Sequence, residues 1–185
     1  MKPNKQLFII AGANGSGKSA LAAELLIKNK DLIFINADDI AKELNPLNID
    51  LVKVQAGKKA INKIYETIAQ KQSFMWESTI SGNFAETIIK LAKKNEYSVS
   101  LIYIFVDNPQ ICIDRVKTRS LKGGHIMPQE DILRRYYRSR KNFLRYINIV
   151  DYWELFYNGI SESILTANKK QIINKVLYDR FMESI

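Results

Sequence analysis

Residues 12–19 read GANGSGKS, an order that suits one chemical task. Gly12, Gly15 and Gly17 permit backbone dihedrals that other residues resist. Ala13, Asn14 and Ser16 between them can then turn their N–H groups toward phosphate oxygens. Lys18 is spaced to reach β- and γ-phosphates, and the Ser19 hydroxyl to ligate Mg2+. Through Ala20 the loop runs into an expected helix, whose positive N-terminus faces the same anion. Gly15, Gly17 and Ala20 also satisfy the G-x-G-x-x-A dinucleotide pattern, with Asp38 or Asp39 about 20 residues on. That pattern wants its first glycine directly after a strand; Gly15 stands three residues further out, and Lys18 would have no task. ATP with Mg2+ is the expected ligand pair.

Carboxylates follow at two places where a strand should leave the core. In "FINADDI", Asp38 can accept a proton from a substrate hydroxyl or help hold Mg2+. Asp39 is given the cap of the helix "DIAKEL" or a place beside the substrate. Glu77 directly follows apolar Phe74, Met75 and Trp76. A charge there is costly unless partnered, so Glu77 is assigned to substrate binding.

Seven of the eight arginines lie between Arg115 and Arg145, and none precedes Arg115 although lysines run throughout. Guanidinium offers a planar two-toothed fork for phosphate that an ammonium lacks. Arg115 and Arg119 share one helix face, and Arg134, Arg138 and Arg145 share a stripe. A solvated surface is the ordinary reading of such a run. Nucleic-acid binding is another, since Tyr136, Tyr137, Phe143 and Tyr146 interleave the arginines; these aromatics are read instead as the buried side of the helix. The preferred reading is a lid over about residues 115–140. Two Arg-bearing helices would be hinged at Gly123 and Gly124 and would close on a transferring phosphoryl group. His125, the lone histidine, sits in the hinge loop, and no neighbouring cysteine or histidine supports a metal site.

The elements that would position these groups alternate. Apolar runs at 6–11, 31–36, 73–77 and 97–106 predict buried strands. Helices are expected over about 18–29, 51–71, 83–95, from Asn108–Pro109 onward, and from Pro128 to about Asn148. Asn83 with Glu86 reads as a capping box. Two short strands near "WELFYN" and "SILTA" and a terminal helix from about Lys170 complete the chain. The expectation is one α/β domain, a parallel sheet with helices on both faces and its site at the carboxyl ends of the strands.

Composition narrows the partners. A net charge of +9 on 185 residues points to an anionic partner. Cys112 is the sole cysteine, read as a buried structural thiol. No apolar run is long enough for a membrane helix, and a cytoplasmic protein is expected.

Taken in order, "GANGSGKS", "INADDIAKELNP", "WESTISG" and "DRVKTRSLKGGHIMP…RRYYRS" resemble the zeta-toxin family of P-loop kinases over roughly residues 5 to 158. The resemblance implies ATP-dependent phosphorylation of a hydroxyl on a small molecule, the best-known being the nucleotide-sugar UDP-N-acetylglucosamine. It also implies a small helical antitoxin that blocks the nucleotide site. By position, Lys18 and Ser19 match the nucleotide and Mg2+ residues. Asp38 matches the base, with a one-residue ambiguity toward Asp39, and Glu77 matches a carboxylate on the acceptor. Arg119 matches the first of two lid arginines. The second position holds His125, so His125, Arg134 or Arg135 would take that role. A nucleotide-driven ATPase switch and an RNA-binding module are the alternatives to a kinase.

Overall fold

The run QLFIIA is apolar at successive positions, which suits a strand covered on both faces, and β1 (Gln6–Ala11) lies inside the sheet. The computed structural model describes residues 5–121, 127–159 and 162–185. Around β1 the order is β2 (Ile33–Ile35), β3 (Phe74–Ser78), β1, β4 (Ser98–Phe105), β5 (Tyr152–Asn158) and β6 (Ser163–Asn168). The first five are parallel. β6 runs antiparallel to β5, with an irregularity at Leu155/Phe156, so the expected parallel sheet carries one reversed edge.

Period-two alternation divides the strand residues between two cores. Ile10, Met75, Ile102 and Ile104 face α1 (Lys18–Lys28), which contributes Leu21 and Ala22. On the opposite face Leu7, Ile9, Leu101 and Tyr103 meet α3 (Lys53–Ala69), α4 (Phe84–Lys94), α6 (Gln129–Tyr146) and α7 (Lys175–Glu183). The larger core is knit by rings: Phe143 lies 4.8 Å from Tyr103 and 5.6 Å from Phe181, centroid to centroid. Two helices lie at the working edge: α2 (Ala37–Leu44) follows β2, and α5 (Pro109–Leu121) follows β4.

Several boundaries differ from the sequence reading for local reasons. A 3-10 turn, Ile49–Val52, occupies the start of the expected 51–71 helix, and α7 begins at Lys175 rather than near Lys170. The capping box at Asn83 does not form. Asn83 is itself helical (φ −82°, ψ −10°), whereas a capping side chain works from extended backbone. Its carbonyl accepts from the Glu86 N–H at 3.1 Å, and the Glu86 carboxylate pairs with Lys90 and Arg145. Asn108 does cap: its Oδ1 accepts from the Gln110 N–H at 2.8 Å. Among the described residues no helix is long and apolar enough to cross a membrane. With five strands parallel, their carboxyl ends share one edge, and the chain passes from β3 across β1 to β4, leaving a crevice beyond β1.

Candidate active site

The loop after β1 turns on three glycines with positive φ: Gly12 at 147°, Gly15 at 81° and Gly17 at 105°. All three are also fixed by close approach. A Cβ on Gly12 would stand 2.3 Å from the Ile104 carbonyl oxygen, one on Gly15 2.6 Å from the Cys112 carbonyl oxygen, and one on Gly17 2.1 Å from Asn158 Nδ2. The loop is therefore braced from outside. Asn158 Nδ2 donates to the Ser16 carbonyl at 2.8 Å. Arg115 donates to the Gly15 carbonyl at 3.3 Å and to the Gly159 carbonyl at 2.8 Å. Cys112 is the buried thiol expected, its pKa pushed up to about 11 by burial.

What the loop encloses suits an anion. The N–H groups of Gly15, Gly17, Lys18 and Ser19 make no hydrogen bond to another backbone group among the described residues. No side chain caps α1, so its N-terminus is open to a ligand. Ser16 Oγ is buried without a hydrogen-bond partner among the described residues. Lys18 is buried, and its ammonium donates back to the Ala13 carbonyl at 2.8 Å. Burial lowers the Lys18 pKa, and the charges of Glu77 and Asp38 act to raise it. A buried cation beside unspent N–H donors fits a triphosphate.

Next to the loop stands a hydrogen-bonded relay. Ser19 Oγ donates to Glu77 Oε1 at 3.0 Å, and Asn36 Nδ2 donates to Glu77 Oε2 at 3.1 Å. Asn36 Oδ1 accepts from the Asp38 N–H at 2.8 Å, which makes Asn36 the cap of α2 in place of either aspartate. Burial raises the Glu77 pKa, while Lys18 and the Ser19 hydrogen bond pull it down. A serine hydroxyl that donates its proton to Glu77 keeps oxygen lone pairs for a cation. Among the described residues no group of three or more acidic, His or Cys side chains forms a metal cage. That donor set fits Mg2+, which keeps waters and takes phosphate oxygens beside one or two protein ligands. Asn36 was missed in the sequence, although an asparagine between strand and helix is itself a cap signal.

Two cavities meet here, sharing Asn14, Lys18, Asp38 and Glu77. The first, about 190 Å3, is lined also by Ser19, Arg115 and Arg119. The second, about 280 Å3, runs between β3 and α3 and is bounded by Asn36, Thr79, Ile61, Phe84 and Arg135. Asp38 thus opens on both. Asp39 lines neither of these two and pairs with Lys42 at 2.9 Å.

The arginine block divides into three uses. Arg119 and Arg135 reach the cavities, and Arg115 both lines the first and braces the loop. Arg134 points elsewhere, pairing with Asp131 at 2.7 Å. Arg140 is a core residue, 1% exposed, which the lid reading did not foresee. Its guanidinium donates to the Val106 carbonyl, to Tyr136 Oη at 2.7 Å and, through Nε, to Ser184 Oγ at 2.9 Å. The root of the α5–α6 pair also packs, Val116, Ile132 and Tyr136 meeting Ala13 and Cys112. From Tyr136 onward, then, α6 belongs to the core rather than to a moving cover. His125 and the hinge glycines Gly123 and Gly124 lie outside the described residues.

Known proteins resemble the chain in sequence or in fold. A protein from Haemophilus influenzae of uncharacterised function is 39% identical over 135 residues, 72% of this chain and 93% of that protein. The AvrRxo1-ORF1:-ORF2 structure with ATP superposes with a TM-score of 0.78 at 18% identity, over 97% of this chain; the chain spans 64% of that chain's length. A structure from the PezAT chromosomal toxin–antitoxin system of Streptococcus pneumoniae gives a TM-score of 0.71 at 15% identity, over 97% of this chain and 78% of that one. At such identities the likeness to the two structures concerns the fold. The family model for zeta toxin matches residues 1–180, and the chain belongs to the zeta toxin family.

Proposed function

We propose that the chain is an ATP- and Mg2+-dependent phosphotransferase that moves the γ-phosphoryl group of ATP to a hydroxyl of a small molecule. One observation carries the reading: Asp38 lines both the cavity beside the glycine loop and the second cavity between β3 and α3. A plain ATPase needs only the first. The transfer breaks the bond between the γ-phosphorus and its bridging oxygen, forms a bond from the acceptor oxygen, and leaves the acceptor proton on Asp38. Lys18 and Arg119 offset charge on the phosphoryl oxygens, and Arg115 keeps the loop in shape. Bound Mg2+ would supply further charge neutralisation at Ser19, which Glu77 orients. The family resemblance implies a nucleotide-sugar, and the second cavity decides which alcohol is taken. A small helical antitoxin is the matching partner, in line with the AvrRxo1-ORF1:-ORF2 complex and the PezAT toxin–antitoxin system.

The RNA-binding alternative keeps one exposed ring, Tyr137, because Tyr136, Phe143 and Tyr146 are buried, and a single ring makes no stacking platform for successive bases. Asp38→Asn tests the proposal. Transfer to acceptor should fall by on the order of a hundredfold or more, the usual contribution of a general base, while ATP affinity persists. Loss of ATP affinity with the variant would instead make Asp38 a nucleotide or metal ligand.

A further inference from the structure

Like Arg115, Arg119 and Arg138, Arg135 has no ion-pair partner among the described residues, but unlike exposed Arg138 it is half-buried and lines a cavity. Arg134 has Asp131, Arg145 has Glu86 and Arg180 has Asp107. Among the described residues Arg135 has no carboxylate within ion-pair distance, and its guanidinium makes a single hydrogen bond, to Asn14 Oδ1 at 3.3 Å. It is half-buried and lines the second cavity but not the first, where Arg115 and Arg119 stand. A partly desolvated fork with most of its donors unspent is a site for an anion. That anion lies on the acceptor side of Asp38.

The rest of the cavity limits what carries the anion. Its volume of about 280 Å3 falls at the small end for ligand sites, which typically run about 300–1,000 Å3. Ala60, Ile61 and Phe84 make one wall apolar, and a Cβ on Gly57 would meet no heavy atom within 4 Å, so this flank has open room. Asp38 and Glu77 already place two carboxylates in its lining. A pyrophosphate there would face them with Arg135 as the cavity's cation besides Lys18, which serves the triphosphate.

We propose that the acceptor is a compact alcohol bearing one anionic group, a carboxylate or a phosphomonoester, which Arg135 holds while its carbon skeleton lies against Ile61 and Phe84. This rests on the phosphotransferase reading. Arg135 is then the specificity-determining residue, and a nucleotide-sugar is disfavoured.

The full chain with Mg-ATP is offered short hydroxy-carboxylates, polyol phosphomonoesters, the uncharged alcohol counterpart of each, and UDP-N-acetylglucosamine. ADP release and phosphorylated product are read together. One charged set should be phosphorylated with kcat/KM at least tenfold above its uncharged counterparts, and which set responds separates carboxylate from phosphomonoester. Arg135→Met should lower that kcat/KM at least tenfold, chiefly through the acceptor KM, with Arg135→Lys between the two. Gly57→Trp, which fills the open flank, should raise the acceptor KM while ATP still binds. Equal turnover of the uncharged alcohols, equal or better turnover of UDP-N-acetylglucosamine, or indifference to Arg135→Met overturns the inference and leaves the phosphotransferase standing. Phosphorylated product in no arm, with ATP bound, contradicts the phosphotransferase reading and the inference with it.

Discussion

Glu77 is a carboxylate whose surroundings pull its pKa both ways. Burial disfavours the carboxylate, and the Lys18 charge with hydrogen bonds from Ser19 and Asn36 offsets part of that, leaving the pKa raised. With its pKa raised, protonation sets in above the ordinary carboxylate range, and it then no longer accepts from both Ser19 and Asn36. The acid limb of kcat/KM for ATP should therefore lie above that range. Asn36→Ala removes a donor that favours the charged form, so the limb should move to still higher pH. A pH–rate profile checks this, and a limb unmoved or moved downward would contradict the relay. Lys18→Ala should reduce turnover by on the order of a hundredfold or more, since it removes the cation aimed at the triphosphate.

Among the elements, the glycine loop is the most constrained, and its constraint comes from β5 and α5 as much as from its own residues. Gly17→Ala would force φ +105° on an alanine and drive a Cβ into Asn158. Strain of this kind costs about 1–3 kcal/mol, which should appear as a lower melting temperature and weaker ATP binding. In α6, Arg140→Met should cost about 2–4 kcal/mol in urea unfolding, because the Val106 carbonyl and Tyr136 hydroxyl lose a buried donor. Exposed Arg138→Met should stay within about 0.5 kcal/mol. The sequence could not separate these two arginines by type, since neighbours two apart look alike until a face is buried. One signal was present: Ile132, Tyr136, Phe143 and Tyr146 form an apolar stripe at helical spacing, and Arg140 lies on it. The glycine loop, by contrast, was legible because its chemistry is backbone chemistry, fixed by residue types in a row. The Glu77–Asn36 pair was not, because it joins residues 41 apart across two strands.

At the scale of the whole chain, the strand-helix alternation was legible and so placed the site edge, whereas the reversed β6 was not, since a short apolar run carries no direction. The net charge of +9 agrees with a triphosphate ligand, but the binding energy depends on a few groups at the edge. Mg-ATP at a hundredfold over its Kd should stabilise the protein by about 2.7 kcal/mol, and the rise in melting temperature should vanish if the loop is not the site, as judged with Lys18→Ala. Everything at the edge turns on the phosphoryl group going to a small molecule. The direct measurement is incubation with Mg-ATP and a fractionated metabolite extract, read by mass spectrometry. One metabolite should gain a phosphate with the intact chain and not with Lys18→Ala. ATP turnover with no phosphorylated small molecule in any fraction would contradict it.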